Sequence, residues 1–406
     1  MKKIALTALF ILGASSVFAM DEDGWASTYE SLAAFDSKIA GYGNRPGYVK
    51  PIIDNLGNVL NSNWYVSASV PKSLTIEAGL PFSIIPINGS DRNYTETYSE
   101  PFTGLSFDYE TPTIFGDKGD PANNDGRIYG NETLNGLGVF TYPYLQLGAS
   151  FFHARVVFRG MLLPAISELR KFNLFGFGLQ YSFGHFFQYM LPPAAQPLDV
   201  SLVFGYNTSG IGYQPEDYEG QLDLDVSTTN FSLVIGYKPF SFFEVMMSLG
   251  YQSAEMKSSG HLVCNAKENG IPDYSRGYGN EINPDITVKG NNGFRFGIAV
   301  ALQLGKSFHP VVGYDYADKS SFTTNVLYFR QQFGEDKTPD EIAKEKGYVR
   351  GGNVKTQSDE TKAPAEQAPA EDSRVDESSA AEDSVEEAPA APAIEEPEAP
   401  AAEEDF

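Results

Sequence analysis

Between Trp64 and Phe333 apolar side chains return at every second position, which commits the region to extended strands with two unlike faces. Leu198, Val200, Leu202, Phe204 and Tyr206 alternate with Asp199, Ser201, Val203, Gly205 and Asn207. Phe243, Val245, Met247, Leu249 and Tyr251 alternate with Glu244, Met246, Ser248, Gly250 and Gln252. Phe231 to Tyr237 and Phe294 to Leu304 repeat the pattern. A soluble sheet would carry charged side chains on its outer face. Here the second face is mostly Gly, Ala, Ser, Asn and Gln, which suits a crowded barrel lumen with the Phe, Leu and Val rows turned to lipid. Each run is about the 9–11 residues that a tilted strand needs to cross a bilayer. No stretch beyond the N-terminus approaches the roughly 20 apolar residues of a spanning helix.

The expected fold is therefore all-β: a transmembrane antiparallel up-and-down β-barrel with a short N-terminal helical segment and a disordered C-terminal tail. Thirteen strands are predicted: 64–70, 74–85, 102–109, 144–152, 154–163, 174–182, 198–208, 222–237, 243–253, 286–289, 294–304, 308–317 and 322–333. Bacterial single-chain barrels have an even count, so the expectation is 12 or 14. Tyr206, Tyr237, Tyr251 and Tyr314 each follow a Gly at a strand end. A Tyr there suits headgroup depth, with its ring buried and its hydroxyl wet. Two long connections, 88–135 and 254–284, are the natural place for ligand contacts.

The ends read differently. Lys2 and Lys3, the apolar run Ile4 to Leu12 and the small-x-small triplet Val17-Phe18-Ala19 predict a signal peptide over 1–19. Residues 20–63 form a helical, plug-like segment, in which Ile52, Ile53, Leu56, Val59 and Leu60 share one helix face and Pro51 suits a first turn. A helix packed against the barrel mouth and a plug both fit that spacing. The barrel is predicted over 64–333 and an Ala/Pro/Glu-rich tail over 334–406. Residues 359–406 hold 17 Asp or Glu against 2 Lys or Arg, so much of the net charge of −24 is tail. Such a stretch cannot bury enough apolar area to fold alone. An even strand count places it in the periplasm.

Candidate chemistry is sparse. The lumen face carries Arg155, Arg159 and Arg295 against Asp199, Glu244 and Asp315, with His309 near the last. These charges either tune a pore or pair with one another. No metal or cofactor is expected. Asn123, Asp125 and Glu132 fall at positions 3, 5 and 12 of a calcium-loop template, but Pro121 at position 1 offers no side-chain oxygen. The four His show no metal spacing, and no nucleophile or phosphate-loop motif occurs. Cys264 is the single cysteine. An acidic exported chain without a basic patch gives no support to nucleic-acid binding.

The chain from about Trp25 to Phe333 resembles a family of outer-membrane β-barrel proteins of unknown function. The segments that carry the likeness are Leu56 to Tyr65, Pro112-Thr113-Ile114-Phe115-Gly116, Leu174 to Tyr181 with Leu198 to Tyr206, and Gly293-Phe294-Arg295 through Tyr316. The fatty-acid-channel barrels are a more distant likeness in general style. The resemblance implies a membrane barrel and no established activity; the acidic tail departs from it. The partners expected are outer-membrane lipid, the barrel-assembly machinery and a small solute. The leading expectation is a non-enzymatic barrel of a Gram-negative outer membrane that passes or binds small solutes, hydrophobic ones included. The alternative is a structural barrel whose loops and tail bind partners.

Overall fold

In a computed structural model of the chain, the described residues are 29, 31–39, 45–99, 104–117, 129–165, 168–187, 190–191, 197–305 and 307–334. The predicted signal peptide and acidic tail lie outside them. A helix, α1 (Pro46–Asn61), precedes nineteen strands. These are β1 (Leu74–Gly79), β2 (Phe82–Pro86), β3 (Asn93–Ser99), β4 (Ser106–Pro112), β5 (Val139–Thr141), β6 (Leu145–Phe151), β7 (Ala154–Leu163), β8 (Leu169–Ser182), β9 (Leu198–Tyr213) and β10 (Tyr218–Phe240). Then follow β11 (Phe243–Cys264), β12 (Lys267–Glu268), β13 (Ile271–Pro272), β14 (Glu281–Ile282), β15 (Thr287–Lys289), β16 (Gly293–Leu302), β17 (Val311–Ala317), β18 (Lys319–Asn325) and β19 (Tyr328–Phe333).

The main sheet closes on itself. β1 pairs with β6 on one edge and β19 on the other; β2 pairs with β5 and β18. The pairs β1/β2, β5/β6 and β18/β19 are each one strand, interrupted at Leu80-Pro81, Tyr142-Pro143-Tyr144 and Val326-Leu327. Two of the breaks fall at prolines, which have no N–H for the ladder. The thirteen segments along the ladder thus make ten staves, and every stave has two neighbours. A closed antiparallel sheet leaves no open edge.

Ten staves correct the expected 12 or 14. Three predicted strands are not staves of their own. The second half of the predicted strand 102–109 falls in β4, which pairs with β3 in a separate hairpin. Residues 286–289 coincide with β15, which flanks β11 beyond β16 in the same stave. Trp64–Val70 is no strand at all. The barrel therefore begins at Leu74, not Trp64. Trp64, Val66, Ala68 and Val70 do alternate with more exposed neighbours, but they are buried inside the barrel rather than set in its wall.

The wall has two tiers. From Phe231 to Tyr237 the outward residues Phe231, Leu233, Ile235 and Tyr237 are apolar, and the inward ones are Ser232, Val234 and Gly236. Further up the same strand the outward residues are Ser227, Asp225 and Asp223, and the inward, buried ones are Val226, Leu224 and Leu222. β11 inverts at the same height: Tyr251 faces out below Ser253, Glu255 and Lys257, while Ala254 and Met256 face in. Phe231, Tyr251 and Phe294 are neighbours across the ladder at this border. The opposite border is a set of turn-borne rings: Phe151 and Phe152, then Phe240 and Phe242, all exposed. Between the borders β11 runs from Phe243 to Tyr251, within the range a bilayer-crossing strand needs. β10 and β11 are 23 and 22 residues long, so they continue far beyond that span. The lower tier is built for lipid outside. The upper tier is built for water outside and holds an apolar core.

The chain runs through its own barrel. Ser37 sits at the far rim, where its N–H and hydroxyl donate to Asp285 at 2.8 and 2.6 Å. Those bonds hold the Asp285 carboxyl below the usual carboxylate range. α1 starts on Pro46 and buries Val49, Ile53, Leu56, Val59 and Leu60 among Ile211, Leu222, Leu224, Val226 and Met256 of the upper tier. Residues 62–73 then descend to the near rim, where the N–H groups of Phe152 and His153 bond Lys72 and Pro71.

Met247, midway between the borders of β11, faces outward. Met247→Arg is expected to destabilise the bilayer-inserted protein by about 2–4 kcal/mol. Ser227→Arg, on the water-facing tier, is expected to change stability by less than about 0.5 kcal/mol. Urea unfolding of the two variants in liposomes checks the difference.

Candidate functional site

The site is the lower lumen, and it is built around the end of α1. The last carbonyls of a helix have no partner within it and carry partial negative charge. In solution water would bond them; here two arginines of the wall do, Arg159 and Arg295, and a third, Arg155, bonds the chain just beyond. Arg159, on β7, donates from Nη1 to Leu60 O at 2.8 Å, from Nη2 to Ser62 O at 2.7 Å and from Nε to Gln146 Oε1 at 2.9 Å. Its guanidinium lies 3.5 Å from the centre of the Trp64 ring and 4.7 Å from that of Tyr144. Arg295, on β16, donates to Gln252 Oε1 at 2.7 Å, Ser62 Oγ at 2.6 Å, Asp315 Oδ2 at 2.6 Å and, more weakly, Asn58 O at 3.4 Å. Arg155 bonds Trp64 O at 2.9 Å and Glu77 at 2.5 Å. All three are almost fully buried.

Lower down, Glu244 accepts from Ser67 Oγ at 2.7 Å and from the Ala68 N–H at 2.8 Å. Asp199 accepts from Ser182 Oγ at 2.8 Å and the Gly184 N–H at 2.9 Å, fastening the β8–β9 connection. His309 is half-buried and lines a cavity of about 30 Å³ with Val66, Ser67, Lys238, Glu244 and Arg330. That is room for one or two waters. The internal segment fills the lumen above it. Trp64 packs on the backbone of Gly178 and Gly205, neighbours across β8 and β9, where any Cβ would overlap the indole.

Of the lumen charges predicted from sequence, Arg155, Arg159, Asp199, Glu244, Arg295 and Asp315 lie buried in the barrel. Only Arg295 and Asp315 pair with each other. Arg155 pairs with Glu77 instead, and Arg159 bonds carbonyls and Gln146. Glu77 was legible: it stands on the small face of the run Thr75, Glu77, Gly79. Trp64 was not, because an alternating run beside a strand region looks like another strand. Tyr206, Tyr237, Tyr251 and Tyr314 all face outward. Tyr206 and Tyr251 stand near the upper border and Tyr237 near the β10–β11 turn; Tyr314 stacks edge-on with Phe322. Asn123 and Asp125 lie outside the described residues, and Glu132 begins a single helical turn, Glu132–Asn135. Among the described residues no group of three or more His, Cys, Asp or Glu could hold a metal ion.

A family of unknown function (DUF6588) matches residues 1–327. No curated protein matches the chain. Among solved structures, TodX, a toluene transporter of Pseudomonas putida, is 9% identical, covers 66% of this chain and 70% of its own, and has a TM-score of 0.27. Ail, the attachment invasion locus protein of Yersinia pestis, is 10% identical over 64% of this chain and 100% of its own, at a TM-score of 0.26. TbuX, a toluene transporter of Ralstonia pickettii, is 8% identical over 75% and 98%, at 0.22. At scores this low the barrel rests on this chain's own strand pairing.

Arg159→Ala is expected to cost roughly 1–3 kcal/mol, because Leu60 O and Ser62 O lose their charged donor and keep only Asn207 Nδ2 at 2.8 Å and Tyr144 OH at 3.3 Å. Arg159→Lys should recover only part of that, since an ammonium cannot span both carbonyls while lying flat on a ring. Arg170→Ala at the exposed rim should leave stability unchanged. Urea midpoints of the purified full chain in detergent compare the three.

Proposed function

The chain belongs to this family of unknown function, and from that premise we propose that it is an outer-membrane barrel that passes small solutes when residues 62–73, with the end of α1, withdraw from the lumen. One observation carries the reading. The wall is closed by strand pairing, but the stopper is held by side-chain bonds, ring contacts and two backbone bonds from the β6–β7 turn, Phe152 N–H to Lys72 O and His153 N–H to Pro71 O. It can therefore leave without breaking a single ladder bond of the barrel. Both ends of the barrel share one rim, and the two longest connections, 87–138 and 265–292, share the other, the extracellular one in barrels of this type. The residues after Phe333 then start in the periplasm, and the upper tier stands outside the cell. A second reading is an interaction barrel. The water-facing exterior of the upper tier, with Asp223, Asp225 and Glu255, supports it.

Asn63 Nδ2 of the stopper lies 3.2 Å from Ser83 Oγ of the wall. Asn63→Cys with Ser83→Cys, in a Cys264→Ser background, can be bridged by a short bifunctional thiol reagent or a disulfide. In planar bilayers the unbridged protein is expected to show intermittent conductance, and the bridged protein none until reduced. Silence in both states sinks solute passage. A pull-down of partners that is lost on deleting residues 359–406 favours the second reading.

A further inference from the structure

We propose that the place held by Trp64 is a binding site for a planar aromatic acid, and that the indole stands in it as an internal substitute for the solute. The inference rests on the reading that the stopper moves. Three observations meet at this point. The first is shape. Gly178 and Gly205 leave the wall bare of Cβ atoms at two adjoining positions, and a flat ring lies against that bare backbone. Glycine weakens a strand, so two of them side by side under a ring mark a close approach that the wall is shaped to allow.

The second is charge. The Arg159 guanidinium lies over the ring, and its other bonds go to two carbonyls of the stopper and to Gln146 Oε1, with no carboxylate among its hydrogen-bond partners. Arg155 and Arg295, by contrast, each hold one carboxylate, Glu77 and Asp315. When Leu60 and Ser62 withdraw, Arg159 keeps its positive charge in a low-dielectric lumen and presents two free donors in a planar fork. A carboxylate matches that fork bidentately, and a ring beside it would take the cation–π contact that Trp64 now makes.

The third is fit. Trp64 Nε1, Gln146 Nε2 and Asn207 Oδ1 are buried here without hydrogen-bond partners. A side chain meant only to fill the lumen would leave fewer. Each orphan lowers the cost of exchanging the stopper for another occupant that bonds it.

The test uses the purified full chain in detergent with Trp64→Ala, which vacates the ring position and removes one of the contacts that hold the stopper, so that a bound carboxylate competes with Leu60 O and Ser62 O for Arg159. Indole-3-acetate, indole and tryptamine share one ring system and differ in charge. By calorimetry, indole-3-acetate is expected to bind saturably, at least tenfold tighter than indole, with tryptamine weakest. Adding Gly205→Leu should abolish binding of all three. Should Trp64→Ala fail to fold, Trp64→Leu leaves a smaller vacancy, tested with benzoate against benzylamine in the same order of preference. Absence of binding by any ring, or binding indifferent to Gly205→Leu, overturns the site. Tryptamine binding as well as the acetate overturns the acidic class. Binding by the vacated site in a protein that conducts nothing would uphold the site and remove solute passage, so the two readings fail separately.

Discussion

A helix that ends inside a membrane barrel faces a problem that water solves elsewhere: its last carbonyls need donors. Arg159 and Arg295 solve it from the wall, and Asn207 adds a third donor to Leu60 O at 2.8 Å. The guanidinium suits the task because its charge persists on burial and its donors lie in a plane that bonds carbonyls while resting on a ring. Much else depends on this contact. It fixes the depth of α1, sets Trp64 against bare backbone and determines why the wall strands carry buried arginines at all. Without an acceptor each of those cations would be a heavy desolvation penalty.

The inversion of the wall shows how one backbone can serve two solvents. Alternation along a strand fixes only that two faces differ. Which face is apolar follows from what lies outside. In the lower tier lipid takes the Phe, Leu and Ile rows, and the interior must then be filled by small groups, satisfied polar groups and the stopper. In the upper tier water lies outside, so Leu222, Leu224 and Val226 turn to the core and α1 supplies its other half. The border between them is marked by aromatic rings, whose bodies prefer lipid and whose edges tolerate water.

Much of this was written in the sequence. The alternation of Phe243 to Tyr251 and Phe294 to Leu304 gave strands whose outward rows are as read, and the same logic placed Arg155, Arg159 and Arg295 on the inner face. Four things were hidden. The run Trp64 to Val70 has strand periodicity, yet periodicity cannot tell pairing with a neighbour from packing in a lumen. The partners of Arg159 are backbone carbonyls, which leave no trace in residue identity. The upper tier inverts by a one-residue shift in the apolar phase, from odd positions at Phe231 to Tyr237 to even ones at Leu222 to Val226, and a strand read as one run over 222–237 passes across that shift. The change of partner from Asp199 or Glu244 to Glu77 was lost because stave registers bring distant segments together.

The passage of the chain from the far rim to the near rim has a consequence for how the molecule is made. Ser37 is tied at one mouth and Lys72 at the other. Drawing a finished α1 through a completed ring would drag its leucines and valines past three buried guanidinia. Joining the ring around a strand of chain already laid in place avoids that journey. The seam between the opening and closing staves, where Ile76 meets Gln331 and Gly79 meets Tyr328, is then the last stitch, and its sealing traps the thread it encircles.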